Sequence, residues 1–228
     1  MVQKFVNCIG IQQLFKAMSV YHTYKIKNSF FGRKKMNFDA FWKKSAALSA
    51  FVYPWDNEIP PAIIFRALYD RKYLYFRFDV IDIDIVVEKE TSNKMAVLNS
   101  DRVEIFFRSD KEMKPYYCLE MDPLGRVLDY KAEFYRKFDY NWKWEGITVR
   151  SAYTLNGYRV WGSVPLESLR NLKLLSENVI QFGLFRGKCV ADNEGNPSFK
   201  WISWMRPDSD MPDFHIPSAF GEARLAGA

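Results

Sequence analysis

From about residue 62 onward the chain reads as short runs in which apolar and polar residues alternate, the period-2 pattern of half-buried strands. In 73-YLYFRFDV-80, Leu74, Phe76, Phe78 and Val80 fall on one face, opposed by Tyr73, Tyr75, Arg77 and Asp79. Similar runs occupy 63–69, 102–108, 116–122, 127–134, 147–153, 158–164, 180–186 and 199–204. Turn chemistry separates them: Asp70-Arg71, Asp122-Pro123-Leu124-Gly125, Asn156-Gly157 and Glu194-Gly195-Asn196-Pro197. Asn156-Gly157 between alternating runs is the strongest hairpin signal. One short helix is expected at 165–172, with Pro165 at its first position and Leu166, Leu169 and Leu172 sharing a face. So many short strands with almost no helix predict an all-β chain built as an antiparallel β-sandwich. No internal repeat or low-complexity segment is visible.

The first 37 residues lack this alternation and are expected to form a basic, poorly ordered extension ahead of a single domain at 38–228. Of the 33 Lys and Arg in the 228-residue chain, nine fall in residues 1–50 against one acid, Asp39. The rest carries 24 basic and 26 acidic groups, so the formal charge of +6 describes the lead-in and gives no basic surface for nucleic acid. Arg33-Lys34-Lys35 reads as a solvated tail. No apolar run reaches the roughly 18 residues of a spanning helix, so membrane insertion is not expected. The first 20 residues carry Asn7, Gln12, Gln13 and Lys16 where an export signal needs a continuous apolar stretch. As written the chain is expected to be cytoplasmic, or extracellular or periplasmic if translation starts elsewhere, as at Met18. Cys8, Cys118 and Cys189 are too widely spaced for a disulfide framework or a metal knuckle, and Cys118 reads as a buried reduced thiol.

Aromatic residues make up 17% of the chain, and their setting carries the functional hint. The segments 41-FWKKS-45, 51-FVYPW-55 with Pro60-Pro61, 66-RALYDRKYLYFRFDV-80, 99-NSDRVEIFF-107, 116-YYCLEMDPLGRVLDY-130, 157-GYRV-160 with 164-VPLESL-169, 183-GLFRG-187, 201-WISWMRP-207 and 214-FHIPSAFGEARL-225 occur in one order. In that order the chain resembles the family 9 carbohydrate-binding modules and their family 9-like relatives. The resemblance implies a jelly-roll-like sandwich that binds glycan, often a polysaccharide chain end, without catalysis. It also implies a sugar pinched between two tryptophans; here those positions are Leu98 and Phe214, so half of the pinch is missing. Trp161 is a second departure, standing where relatives carry an acid.

Charged residues inside strands are the next candidates. Arg66, Glu104, Glu120 and Arg186 each interrupt or end an apolar run, and on one sandwich face they would form a floor that reads hydroxyl pairs. Glu104 also matches a sugar-contacting position of the resembled modules. The alternatives are a structural ion-pair network or, with Glu104 and Glu120 as acid and nucleophile, a glycosidase. No G-x-S-x-G, P-loop or H-E-x-x-H motif is present. Two histidines, His22 and His215, make a His-rich metal site improbable. Met205, Met211 and His215 are close enough in sequence to raise haem, against the simpler reading of a hydrogen-bonded loop histidine. The acids of 79-DVIDID-84 would suit structural calcium or a solvated turn.

Large rings near prolines serve as lids or as ligand platforms. Trp142 and Trp144 read as an edge cover. Trp201 and Trp204 face opposite sides of one strand, and Trp204, leading into a turn, is expected to point outward. The resulting expectation is non-catalytic carbohydrate binding at a shallow site at one end of the sandwich. Trp55, Trp204 and Phe214 would stack, Arg66, Glu104, Glu120 and Arg186 would hydrogen-bond, and His215 matches a common family 9-like residue. The partner is an oligo- or polysaccharide, no cofactor is required, and a monomer is expected. A scaffold domain that keeps the sandwich without the sugar pocket is the other reading.

Overall fold

A computed structural model describes residues 19–27, 38–191 and 197–227. The lead-in residues 1–18, with Cys8, and the Arg33-Lys34-Lys35 cluster lie outside the described residues.

The alternating runs become strands. They are β2 (Ile63–Tyr69), β3 (Tyr73–Ile81), β4 (Arg102–Arg108), β5 (Tyr116–Met121), β6 (Val127–Glu133), β8 (Thr148–Thr154), β9 (Gly157–Pro165), β11 (Val179–Ala191) and β12 (Pro197–Ser203). The expected helix is α2 (Leu166–Asn171), with Leu166 and Leu169 buried. Periodicity did not predict β1 (Val20–Lys25), α1 (Phe38–Trp42), β7 (Lys137–Asp139), β10 (Leu175–Ser176) or β13 (Gly221–Ala226). Hydrogen-bonded neighbours run β7-β6-β5-β4-β11-β13-β1-β2-β3-β9-β8, with β10 and β12 paired to β11. The sheet curls over itself so that the core faces of β2, β3 and β9 pack on those of β4, β5 and β11. Phe65, Phe76, Phe78 and Val160 there meet Ile105, Phe107, Leu119 and Leu184. Among the described residues no helix is long and apolar enough to cross a membrane.

The antiparallel expectation needs correction, because the sheet is mixed. β1 runs parallel to both β13 and β2, filling the seam between them. Its sequence, VYHTYK, hides the strand because its inward residues are polar or amphipathic: Tyr21 is 3% exposed and Thr23 fully buried. The Tyr21 hydroxyl accepts from the Ala67 amide at 2.8 Å and donates to the Ala46 carbonyl at 2.8 Å, so a polar group lies in the core with partners on both sides. The β8–β9 hairpin also closes one residue early, on Leu155-Asn156. Gly157 begins β9 at φ +155, where a Cβ would stand 2.0 Å from the Val80 carbonyl oxygen.

Two further apolar clusters cover outer faces. Ile26, Phe41 and Trp42 lie over Leu68 and Tyr75 on β2 and β3. On the opposite half, Phe106, Cys118, Tyr130, Phe185 and Phe214 form a layer on the outer face of β4, β5, β6 and β11. Cys118 is fully buried in that layer. This second outer face carries the candidate site.

Candidate functional site

Period-2 geometry places Arg102, Glu104 and Phe106 on one face of β4, and Cys118 and Glu120 on the same face of β5. Glu104 and Glu120 are directly paired across the two strands. Side chains at such positions lie about 5 Å apart at Cβ, and two like charges there repel. Arg102 relieves this: its Nε lies 2.8 Å from Glu104 Oε1 and 2.7 Å from Glu120 Oε2. The Tyr130 hydroxyl donates to Glu120 Oε1 at 2.7 Å. All four residues are at most 5% exposed. Burial, then the Glu120 charge, push the Glu104 pKa up to about 8 against the pull of Arg102, so at neutral pH this carboxyl holds a proton. Burial opposes the charge of Arg102, but Glu120 and Glu104 more than compensate and keep its pKa above the ordinary value.

These groups form the floor of a pocket of about 200 Å3. Its walls come from four other parts of the chain. Leu98, at the end of the 3-10 helix Lys94–Asn99, lends its carbonyl to Arg102 Nη1 at 3.3 Å. Trp55 leans over Phe214 with ring centroids 5.6 Å apart, and its Nε1 donates to the Ser209 carbonyl at 2.7 Å, which fixes the ring. Trp201, from β12, meets Phe214 edge-on at 5.6 Å. The far wall is Phe138 and Tyr140, at and just beyond β7. Trp201 and Arg102 lie close because Gly187 stands between them: a Cβ there would be 3.2 Å from the indole and 3.3 Å from the guanidinium.

A polar clasp closes the remaining side. Arg136 Nη2 meets Asp213 Oδ1 at 2.8 Å, and the Tyr135 hydroxyl donates to Asp213 Oδ2 at 2.7 Å. The turn between β6 and β7 is thereby tied to the loop carrying Phe214 and His215. The His215 ring stacks on Phe106 at 5.1 Å, with Nδ1 3.0 Å from the Tyr116 hydroxyl. Burial, followed by the charge of Arg136, holds His215 down at about 3, so it is neutral at ordinary pH.

Of the expected site residues, Trp55, Glu104, Glu120, Phe214 and His215 meet in this one pocket. Phe214 sits behind the more open rings: it is 5% exposed and stacked at 4.2 Å on Phe185. The other three lie elsewhere. Arg186 follows Phe185 on β11 and therefore points the other way, into the core; it is fully buried, with Nη2 2.8 Å from Asp82 and 2.6 Å from Asp101. Arg66 is on the distant half of the sheet and donates to the Ser45 carbonyl at 3.1 Å. Trp204 is 6% exposed in the main core against Phe182, so it is Trp201 that turns outward. The pocket also opens over a sheet face, where an end of the sandwich was expected.

The other readings find their residues engaged. Asp79 pairs with Arg77 and Arg159, and Asp82 with Arg186 and Lys188, so protein cations fill the place where calcium was considered. Among the described residues no three His, Cys, Asp or Glu side chains cluster to hold a metal. Met211 is 73% exposed, and His215 is taken by Tyr116. Trp142 and Trp144 pack on Tyr117, with Trp144 inside the main core. Sequence reasoning missed Arg102, Trp201, Tyr130 and the Arg136–Asp213 clasp. The signal for Arg102 was its i, i+2 spacing from Glu104; the clasp had none, since its partners are 77 residues apart.

Three solved structures share this fold, each at 15% sequence identity. A candidate carbohydrate-binding protein from Bacteroides uniformis ATCC 8492 matches with a TM-score of 0.66, covering 91% of this chain and 99% of that one. A family 9 carbohydrate-binding module from Caldicellulosiruptor kristjanssonii in complex with glucose matches at 0.57, covering 91% and 96%. The same organism's module in complex with cellotriose matches at 0.55, covering 92% and 94%. No curated protein matches the chain. The profile of the family described as Carbohydrate family 9 binding domain-like matches residues 36–228, and the chain therefore belongs to that family.

Proposed function

We propose that the pocket binds one ring of an oligo- or polysaccharide without covalent chemistry. The observation that carries this reading is the charged floor, Glu104–Arg102–Glu120, opening beneath partly exposed aromatic walls. A sugar ring presents an apolar C–H face and a rim of hydroxyls, each both donor and acceptor. Trp55, Trp201 and Tyr140 offer ring surface for the first, and the floor offers charged hydrogen-bonding groups for the second. At about 200 Å3 the space is below the roughly 300–1,000 Å3 typical of drug-sized ligands, which suits a single ring. Glucose and cellotriose bound to the Caldicellulosiruptor modules of the same fold agree with this class of ligand.

Binding without catalysis is supported by how Glu120 is held. One of its oxygens accepts from Tyr130 and the other lies 2.7 Å from Arg102 Nε, so both already sit against protein groups within the floor. A pure scaffold role is disfavoured by a floor of buried charges that has not been replaced by packed apolar residues.

Calorimetric titration with a panel of mono- and oligosaccharides tests the reading. Binding should be weakened at least about tenfold by Trp201→Ala, with no reducing sugar released from any oligomer. Silence against every sugar would favour the scaffold, and sugar release abolished by Glu104→Gln would establish an enzyme.

A further inference from the structure

The floor of the pocket is short of both positive charge and hydrogens. Glu104 and Glu120 face each other across β4 and β5, and the Arg102 side chain is the cation that touches both. It meets them through a single nitrogen, Nε, whose one hydrogen goes to Glu104 Oε1 at 2.8 Å. Glu120 Oε2 lies 2.7 Å from the same nitrogen yet receives no hydrogen, and among the described residues this buried oxygen has no hydrogen-bond partner. Arg102 Nη1 is turned away, donating to the Leu98 carbonyl at 3.3 Å. The pocket's other charges, Arg136 and Asp213, balance each other in the clasp. One carboxyl of the floor is thus left without a counter-charge.

The proton that Glu104 keeps up to about pH 8 fills that gap in the empty pocket. The groups around it do not compete for this role near neutral pH. Burial pushes Cys118 on β5, Tyr130 on β6 and Tyr140 beside β7 up, and holds His215 opposite at about 3. A hydroxyl arriving on the floor brings one hydrogen and no charge, whereas an ammonium brings three N–H donors and the charge that is lacking. The rings of Trp55 and Tyr140 on the walls turn electron-rich faces that favour a cation. Resting on the reading of the pocket as a sugar site, we propose that the ring it takes is an amino sugar, whose ammonium lies on the floor between Glu104 and Glu120 as the second cation. The ammonium displaces the Glu104 proton to solvent, and the floor then holds two carboxylates against two cations.

Calorimetry at about pH 6.5, where a hexosamine carries its charge, tests this with glucosamine, galactosamine, their N-acetyl forms, glucose and galactose. A free hexosamine should bind about tenfold tighter than both its parent hexose and its N-acetyl form. Its binding should also release about one proton, read as a heat that differs between phosphate and imidazole buffers. Glu104→Gln should abolish both the preference and the proton release. The proton count is made on the unaltered protein, so it decides the matter even if the variant fails to fold. A hexosamine that binds no tighter than its parent hexose, one that binds without releasing a proton, or a preference that survives Glu104→Gln overturns the amino-sugar assignment and leaves the pocket a site for neutral rings. Silence from every sugar, amino or neutral, takes down the reading of the pocket itself.

Discussion

Glu104→Gln gives the sharpest test of the charged floor. Glu104 and Glu120 share a single cation, Arg102, so two ionised carboxylates would leave an uncompensated negative charge in a buried site. Moving a carboxyl pKa from 4.5 to about 8 shifts the balance of its protonation states by about 5 kcal/mol. Between those values the folded protein binds a proton that the unfolded chain has released. Glu104 therefore contributes stability that is complete below pH 4.5 and is lost as pH rises through about 8, at about 1.4 kcal/mol per pH unit. His215 has the opposite sign: its pKa falls from 6.5 to about 3, so its contribution is complete above pH 6.5 and is lost as pH falls toward 3. The two slopes offset each other from pH 4.5 to 6.5, and above 6.5 the Glu104 slope acts alone, removing about 2 kcal/mol by pH 8. Gln copies the protonated carboxyl in shape and cannot ionise. Urea unfolding followed by tryptophan fluorescence, at steps from about pH 5 to about pH 9, measures the effect. Glu104→Gln should cost less than about 1 kcal/mol near pH 4.5, should be the more stable form by about 2–3 kcal/mol at pH 7, and should abolish the alkaline loss. Curves for the variant and the parent that stay parallel above pH 6.5 would refute the shared proton.

Four other substitutions probe packing and the pocket. Arg102→Met removes the cation from a buried pair of acids and should destabilise by about 3–5 kcal/mol at neutral pH, with partial recovery in acid as both carboxyls protonate; the same urea titration reads this. Trp204→Ala should cost about 3–5 kcal/mol because the side chain lies in the main core, whereas the half-exposed Trp201→Ala should lower sugar affinity with a much smaller change in unfolding midpoint. Tyr21→Phe leaves the Ala67 amide and Ala46 carbonyl without their side-chain partner and should cost about 1–3 kcal/mol, which would show that β1 is integral to the sheet.

The strands of the sandwich were legible because each one-sided burial leaves a period-2 trace. β4 and β2 begin and end where the alternation does. β1 was illegible for the same reason: Tyr21 and Thr23 face inward, and Thr23 is not a residue that marks a core position. Parallel insertion of β1 between β2 and β13 was beyond reach too, since pairing partners far apart in sequence leave no local signal. Even β13 escaped, although Ala223 and Leu225 alternate with Glu222 and Arg224, because the run is short and its inward side chains include a small one.

Strand parity decides which of the candidate side chains face the pocket and which face the core. Glu104 and Glu120 lie on one face because each faces its partner across β4 and β5, and that much follows from alternation once the strands are paired. Arg186 was grouped with them on charge alone. Its neighbour Phe185 pairs with Glu104, whereas Arg186 pairs with Val103, a core residue, so Arg186 had to point into the sandwich. The same rule selects Arg102, two residues before Glu104, as the cation of the floor. It also selects Trp201, across from Gly187, as the open ring. Charge says which side chains could meet a hydroxyl, but the register of the neighbouring strand says on which side of the sheet they stand. In this chain that second condition puts Arg102 rather than Arg186 on the pocket's floor, and Trp201 rather than Trp204 on its wall.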